Sequence, residues 1–195
     1  MSKAFDKIFQ QIRDDPDNAA FKKMGYDPLY VAGKGARLLV VGHAPGRQAQ
    51  EKGVAWDDAS GERLKAWMGI DDSVFRDPQL VALLPMDFYY QGKGKSGDLR
   101  PRKAFAPRWH PQLLDLMPDI RLTILVGNYA QGYYLGKEAK KNLTETVKEA
   151  ASYLPRYFPI VHPSPLNFRW LGKNPWFEQD LVPLLQQQVQ EALKG

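Results

Sequence analysis

The chain contains no cysteine. Disulfides, a thiolate nucleophile, a cysteine zinc site and a cysteine-ligated iron–sulfur cluster are therefore excluded. Long apolar runs are missing as well, none approaching the ~20 residues that a membrane span needs. The start, Met1-Ser2-Lys3-Ala4-Phe5-Asp6-Lys7, lacks the apolar core and cleavage site of a signal peptide, so a cytoplasmic location is expected. There is no internal repeat, low-complexity tract or evident linker. Histidine is scarce, with three in 195 residues, which gives weight to the position of each.

That length suits one domain over residues 1–195, with 1–30 as a helical extension packed on it. The net charge is +5, and its placement matters more than its size. Lys93, Lys95, Arg100, Arg102, Lys103 and Arg108 stand against a single acid, Asp98, a surplus equal to the charge of the whole chain. Interleaved with glycines and following Phe88-Tyr89-Tyr90, that segment suits a phosphate-facing surface, although a solvated charged loop has the same composition.

Four apolar runs read as strands: Arg37–Val41, Leu80–Met86, Leu122–Gly127 and Tyr157–Val161. They are continuous rather than alternating, as expected of parallel strands covered on both faces. Helical patterns separate them. Residues 3–13 carry Phe5, Ile8, Phe9 and Ile12 on one stripe, and Ser60 is a candidate cap for a helix carrying Leu64, Trp67 and Met68. Further helices are expected over Ala106–Met117, from Asn128 and over Leu143–Leu154, the last being opened by Asn174-Pro175. The fold predicted is α/β, a three-layer αβα sandwich around a central four-stranded parallel sheet.

Sites in such sheets lie at the carboxyl ends of the strands. After the first strand comes Gly42-His43-Ala44-Pro45-Gly46-Arg47, whose glycines let the backbone approach a ligand. It lacks the Gly-Lys-Ser/Thr ending of a nucleotide-triphosphate loop. Asp58 lies just ahead of a helix N-terminus, where the dipole favours a carboxylate, though plain capping is an equal use. Trp56 suits either a core or a platform for a flat ring. After the fourth strand, His162-Pro163-Ser164-Pro165-Leu166-Asn167 turns the chain out stiffly and presents an imidazole and a leucine. His110, beside Trp109, reads as structural.

These two motifs, in this order, resemble the uracil-DNA glycosylase superfamily over about residues 37–190. The tail Trp170-Leu171-Gly172-Lys173-Asn174-Pro175-Trp176-Phe177-Glu178 is similar to a bacterial branch of glycosylase-like proteins. The resemblance implies a DNA glycosylase releasing uracil or a related deaminated base, without cofactor or metal, with DNA as partner and as a monomer. It makes His162 the donor to the departing base's carbonyl and Leu166 the wedge that enters the stack. Asp58, in Asp-Ala-Ser-Gly, resembles the aspartate of a branch whose first motif lacks a polar residue; His43 competes as the water ligand. Gly42, Ala44, Trp56, Met86, Asp87 and Phe88 are then expected around the base. Pro45, Gly46, Arg47, Ser164, Pro165, Leu166, Asn167, Arg100 and Arg102 are expected at DNA. The chain departs from the family at Ala44, where other branches carry Asp or Asn. No asparagine around Pro85-Met86-Asp87 matches the family's uracil reader. Two alternatives stay open: a DNA-binding member without chemistry, and a metal-dependent hydrolase using His43, Asp58 and His162.

Overall fold

The computed structural model of the chain describes residues 3–95 and 97–194. In chain order they form α1 (Lys3–Arg13), α2 (Ala19–Lys23), β1 (Leu38–Val41), α3 (Arg47–Lys52), α4 (Ala59–Met68), α5 (Asp72–Arg76) and β2 (Val81–Leu83). There follow α6 (Phe105–Leu114), β3 (Leu122–Val126), α7 (Gly127–Leu135), α8 (Leu143–Lys148), β4 (Tyr157–Ile160), α9 (Phe168–Lys173) and α10 (Val182–Leu193). The four strands make one parallel sheet in the order β2-β1-β3-β4, with Leu38 level with Val81 on one side and Leu122 on the other.

Both faces of the sheet are covered, and the strand residues divide between them by the period of two. Leu38, Val40, Val81, Leu83, Ile124, Phe158 and Ile160 pack with Leu64, Trp67 and Met68 of α4, Phe75 of α5 and Leu185 and Val189 of α10. Leu39, Val41, Ala82 and Leu125 face Phe5, Ile8 and Ile12 of α1, together with Phe105, Trp109 and Leu113 of α6. The architecture is thus an αβα sandwich. Among the described residues no helix is long and apolar enough to cross a membrane.

Strand order places the site. From β1 the chain moves to β2 on one side, then returns past β1 to β3 on the other. The segments leaving β1 and β3 therefore diverge, opening a crevice at the carboxyl edge where such sheets take ligands.

Several elements differ from expectation. The cap of α4 is Asp58, whose carboxylate accepts from the Gly61 N–H at 2.9 Å, and Ser60 lies inside the first turn. The second strand is shorter than its apolar run, ending ahead of Pro85, although the Leu84 and Met86 N–H groups still bond to the Val40 and Gly42 carbonyls of the neighbouring segment at 3.0 and 2.9 Å. Leu143–Leu154 divides into α8 and a 3₁₀ turn over Ala150–Tyr153. Asn174 gives the last helix no side-chain cap but closes α9, its side-chain amide donating back to the Trp170 carbonyl at 2.8 Å, and a π turn over Phe177–Leu181 leads into α10.

Candidate active site

A cleft of about 240 Å³ opens at that carboxyl edge. Gly42, His43, Ala44, Pro45 and Gly46 from the segment after β1 form one wall. Trp56 and Asp58 come from the turn before α4, Pro85 from beyond β2, and His162 and Ser164 from beyond β4. Residues more than a hundred positions apart thus border one space.

Trp56 organises the wall between the two motifs. Its ring lies face-on to His162, with centroids 5.7 Å apart and planes 27° apart. Its backbone takes φ 57°, unusual for a residue with a side chain. Two glycines make room for it. A Cβ on Gly42 would sit 2.9 Å from Trp56 Cζ2, and one on Gly61 would sit 1.9 Å from the Trp56 carbonyl oxygen. The turn is also held electrostatically: the Arg76 guanidinium donates to the carbonyls of Ala55 and Trp56.

His162 is equally constrained. The Ser164 N–H donates to its Nδ1 at 3.1 Å, so in the neutral ring the proton sits on Nε2. Asn167 donates its side-chain amide to the His162 carbonyl at 2.7 Å, and Arg63 of α4 donates to the Ser164 carbonyl at 3.2 Å. Burial pushes the His162 imidazole below its ordinary 6.5, and the neighbouring His43 adds to the fall, with Asp58 opposing it. His43 is lowered as well, chiefly by burial, against the charges of Asp98 and Asp87. Its ring meets Tyr129, in the first turn of α7, at 5.0 Å between centroids, directly across the crevice between β1 and β3. Beyond the cleft, Leu166 stands 84% exposed on a 3₁₀ turn over Pro165–Asn167.

Residues 30–186 match the Uracil DNA glycosylase superfamily. The chain belongs to that superfamily. Among solved structures it is similar to a candidate uracil DNA glycosylase from Methanosarcina acetivorans, determined by solution NMR, at 14% identity and TM-score 0.49, over 82% of this chain and 94% of that one.

For this member of the uracil DNA glycosylase superfamily, part of the expected base-binding set lies elsewhere. Phe88 is wholly buried in the second core, stacked at 4.6 Å on Tyr30 and edge-on to Phe105 at 5.0 Å. Met86 is buried too, anchoring its segment to Gly42 through its amide. Asp87 has no exposed surface; its two oxygens take a fork from Arg102, at 2.7 Å from Nε and 2.9 Å from Nη2. A carboxylate desolvated to that degree needs such a partner. Arg102, expected at DNA, is engaged within the fold: it also donates to Asn18 at 2.7 Å and lies over the Phe105 ring at 4.6 Å. Arg108 is likewise engaged, by Asp15. Arg100 remains exposed, and Arg47 pairs on the surface with Glu51 at 2.9 Å. Among the described residues no group of three His, Cys, Asp or Glu side chains is placed to hold a metal ion.

Three contributors carry no signal in the sequence. Arg76 and Arg63 act on backbone carbonyls of loops remote in the chain. Asp98, the lone acid of the basic segment, lines the cleft itself.

Proposed function

We propose that the protein is a DNA glycosylase that hydrolyses the N-glycosidic bond of uracil or a related deaminated base. The observation that carries this reading is a single cleft bordered by His162, Asp58 and Trp56. In the reaction the C1′–N bond breaks with its electron pair leaving on the base, and a water oxygen bonds to C1′. Positive charge develops on the sugar and negative charge on a base carbonyl oxygen. His162, neutral and with its proton on Nε2, is the donor to that oxygen; one preorganised donor contributes roughly 2.7–4 kcal/mol in comparable sites. Asp58 supplies the carboxylate for the sugar side, and His43 is the ligand for water. Trp56 provides the face on which a base turned out of the helix stacks. Extruding the base costs a few kcal/mol, least at mismatched or damaged pairs. Leu166 fills the space left behind, as apolar wedges do in other DNA-bending proteins. The experiment is a single-turnover assay on oligonucleotides bearing uracil, hypoxanthine or xanthine. Release of any one supports the reading, and an abasic product from none of them refutes it. Ala44, which brings no polar side-chain atom to the cleft, favours a second reading: a member that binds DNA without cleaving it. That reading expects salt-sensitive binding that is indifferent to His162→Ala and Asp58→Ala.

A further inference from the structure

The basic segment carries one carboxylate, and it ends at the cleft. The loop bearing it is folded back on itself rather than extended into solvent. Leu99 N–H donates to the Gly92 carbonyl at 2.9 Å, Gly94 N–H to the Gly97 carbonyl at 2.8 Å, and Lys93 bridges antiparallel to Asp98. Asp98 thereby lines the same space as His43, while exposed Lys93, Lys95 and Arg100 flank it in the chain. On a surface meant for phosphates a carboxylate in that position opposes binding. Its placement calls for a compensating use.

His43 supplies one. Its ring meets Tyr129 of α7. It shares the cleft with His162 from the loop after β4, Asp58 from the turn before α4 and Asp98 from the segment after β2, and the charges of Asp98 and Asp87 bear on it. Asp87 is committed to Arg102, so Asp98 is the carboxylate of that segment available to it. The neighbouring Ala44 brings no polar side-chain atom. We propose that Asp98 is the positioning partner of His43: as the water oxygen bonds to C1′, its proton passes to the His43 ring, and Asp98 stabilises the imidazolium so formed. Asp58 is then left to the electron-poor sugar, and the departing electron pair stays with the base held by His162. This division of labour rests on the glycosylase reading, but the pairing of the two side chains does not.

The test compares wild type with Asp98→Asn and Asp98→Glu. The imidazole titrations are followed by NMR and assigned by the resonance lost in His43→Gln, among three histidines in all. In Asp98→Asn the His43 midpoint falls by about half a pH unit, as expected on removing a partly solvated opposite charge. Single-turnover base release drops on the order of 10-fold, below the full worth of an acid–base partner. The acid limb of its pH profile moves down with the midpoint. Duplex binding tightens, because a phosphate-repelling charge is gone, and Asp98→Glu keeps the wild-type midpoint. An unmoved His43 midpoint in Asp98→Asn overturns the pairing whatever the rate does. Tighter binding at an unchanged rate also overturns it, leaving Asp98 as a brake on DNA affinity. A wild type that releases no base refutes the glycosylase reading instead, and the NMR midpoint then decides the pairing by itself.

Discussion

On the proposed glycosylase reading, replacing His162 with alanine isolates the donor at the departing base. Because Nδ1 already accepts the Ser164 N–H at 3.1 Å, only Nε2–H can serve the base oxygen, and no other ring position substitutes for it. Loss of one preorganised donor costs about 2.7–4 kcal/mol, a fall of roughly 10²–10³ in the rate of bond cleavage. The same change strips the Trp56 ring of its neighbour at 5.7 Å, so some loss of stability accompanies it. The two effects separate by leaving group. A folding defect slows every substrate equally, whereas a missing donor matters less when the base departs more readily as an anion. The assay is therefore single-turnover release of uracil and of 5-fluorouracil from matched oligonucleotides by folded protein. The expected result is a large loss for uracil and a distinctly smaller one for the fluorinated base. Rates within about threefold of wild type, a barrier change under 1 kcal/mol, would refute the assignment of His162. Equal losses on both bases would refute it too.

Leu166→Ala, at an 84% exposed position, is expected to leave stability within about 0.5 kcal/mol while reducing release from duplex far more than from single strands; chemical denaturation and paired substrates check both halves. Arg102→Ala strands the buried Asp87 and is expected to cost about 3–5 kcal/mol in urea unfolding, with base release by the folded fraction little changed. His110 is held by the Tyr134 hydroxyl at 2.8 Å and the Pro85 carbonyl at 3.0 Å, and burial pushes it down to about 4. The unfolded chain therefore binds the extra proton first. Stability is full above the ordinary 6.5 and declines as pH falls towards 4, by about 1.4 kcal/mol per unit from this group. Unfolding free energies at pH 7 and pH 5 show the decline, and a flat profile would contradict it.

The sheet was legible because its strands are short apolar runs with few polar interruptions, and burial on both faces leaves only that pattern. The two loop motifs were legible because proline and glycine punctuate the chain wherever it must leave a strand. Asp87 and Arg102 were not. A charge in a loop reads as solvent-facing unless its partner is known, and theirs is an ion pair closed across fifteen positions by packing on Phe21, Tyr89 and Phe105. Phe88 escaped for a related reason, since an aromatic after a strand fits a base platform and a core equally well. Asp98 looked like the exception in a basic run, and only the fold-back over Gly92 and Gly94 brings it to the cleft. Asp58 did double service that spacing alone could not divide, capping α4 while facing the cleft.

The indole at position 56 has a bearing on how this cleft can diversify. The ring lies against Gly42 and the carbonyl of the same residue against Gly61, so neither position is free to gain so much as a methyl group. A smaller ring would loosen the constraint on Gly42 alone and open a hole beside His162, which on the glycosylase reading admits bulkier bases at the expense of grip. On the proposed glycosylase reading, retuning this cleft for a larger lesion begins at residue 56, with Gly42 varied only afterwards.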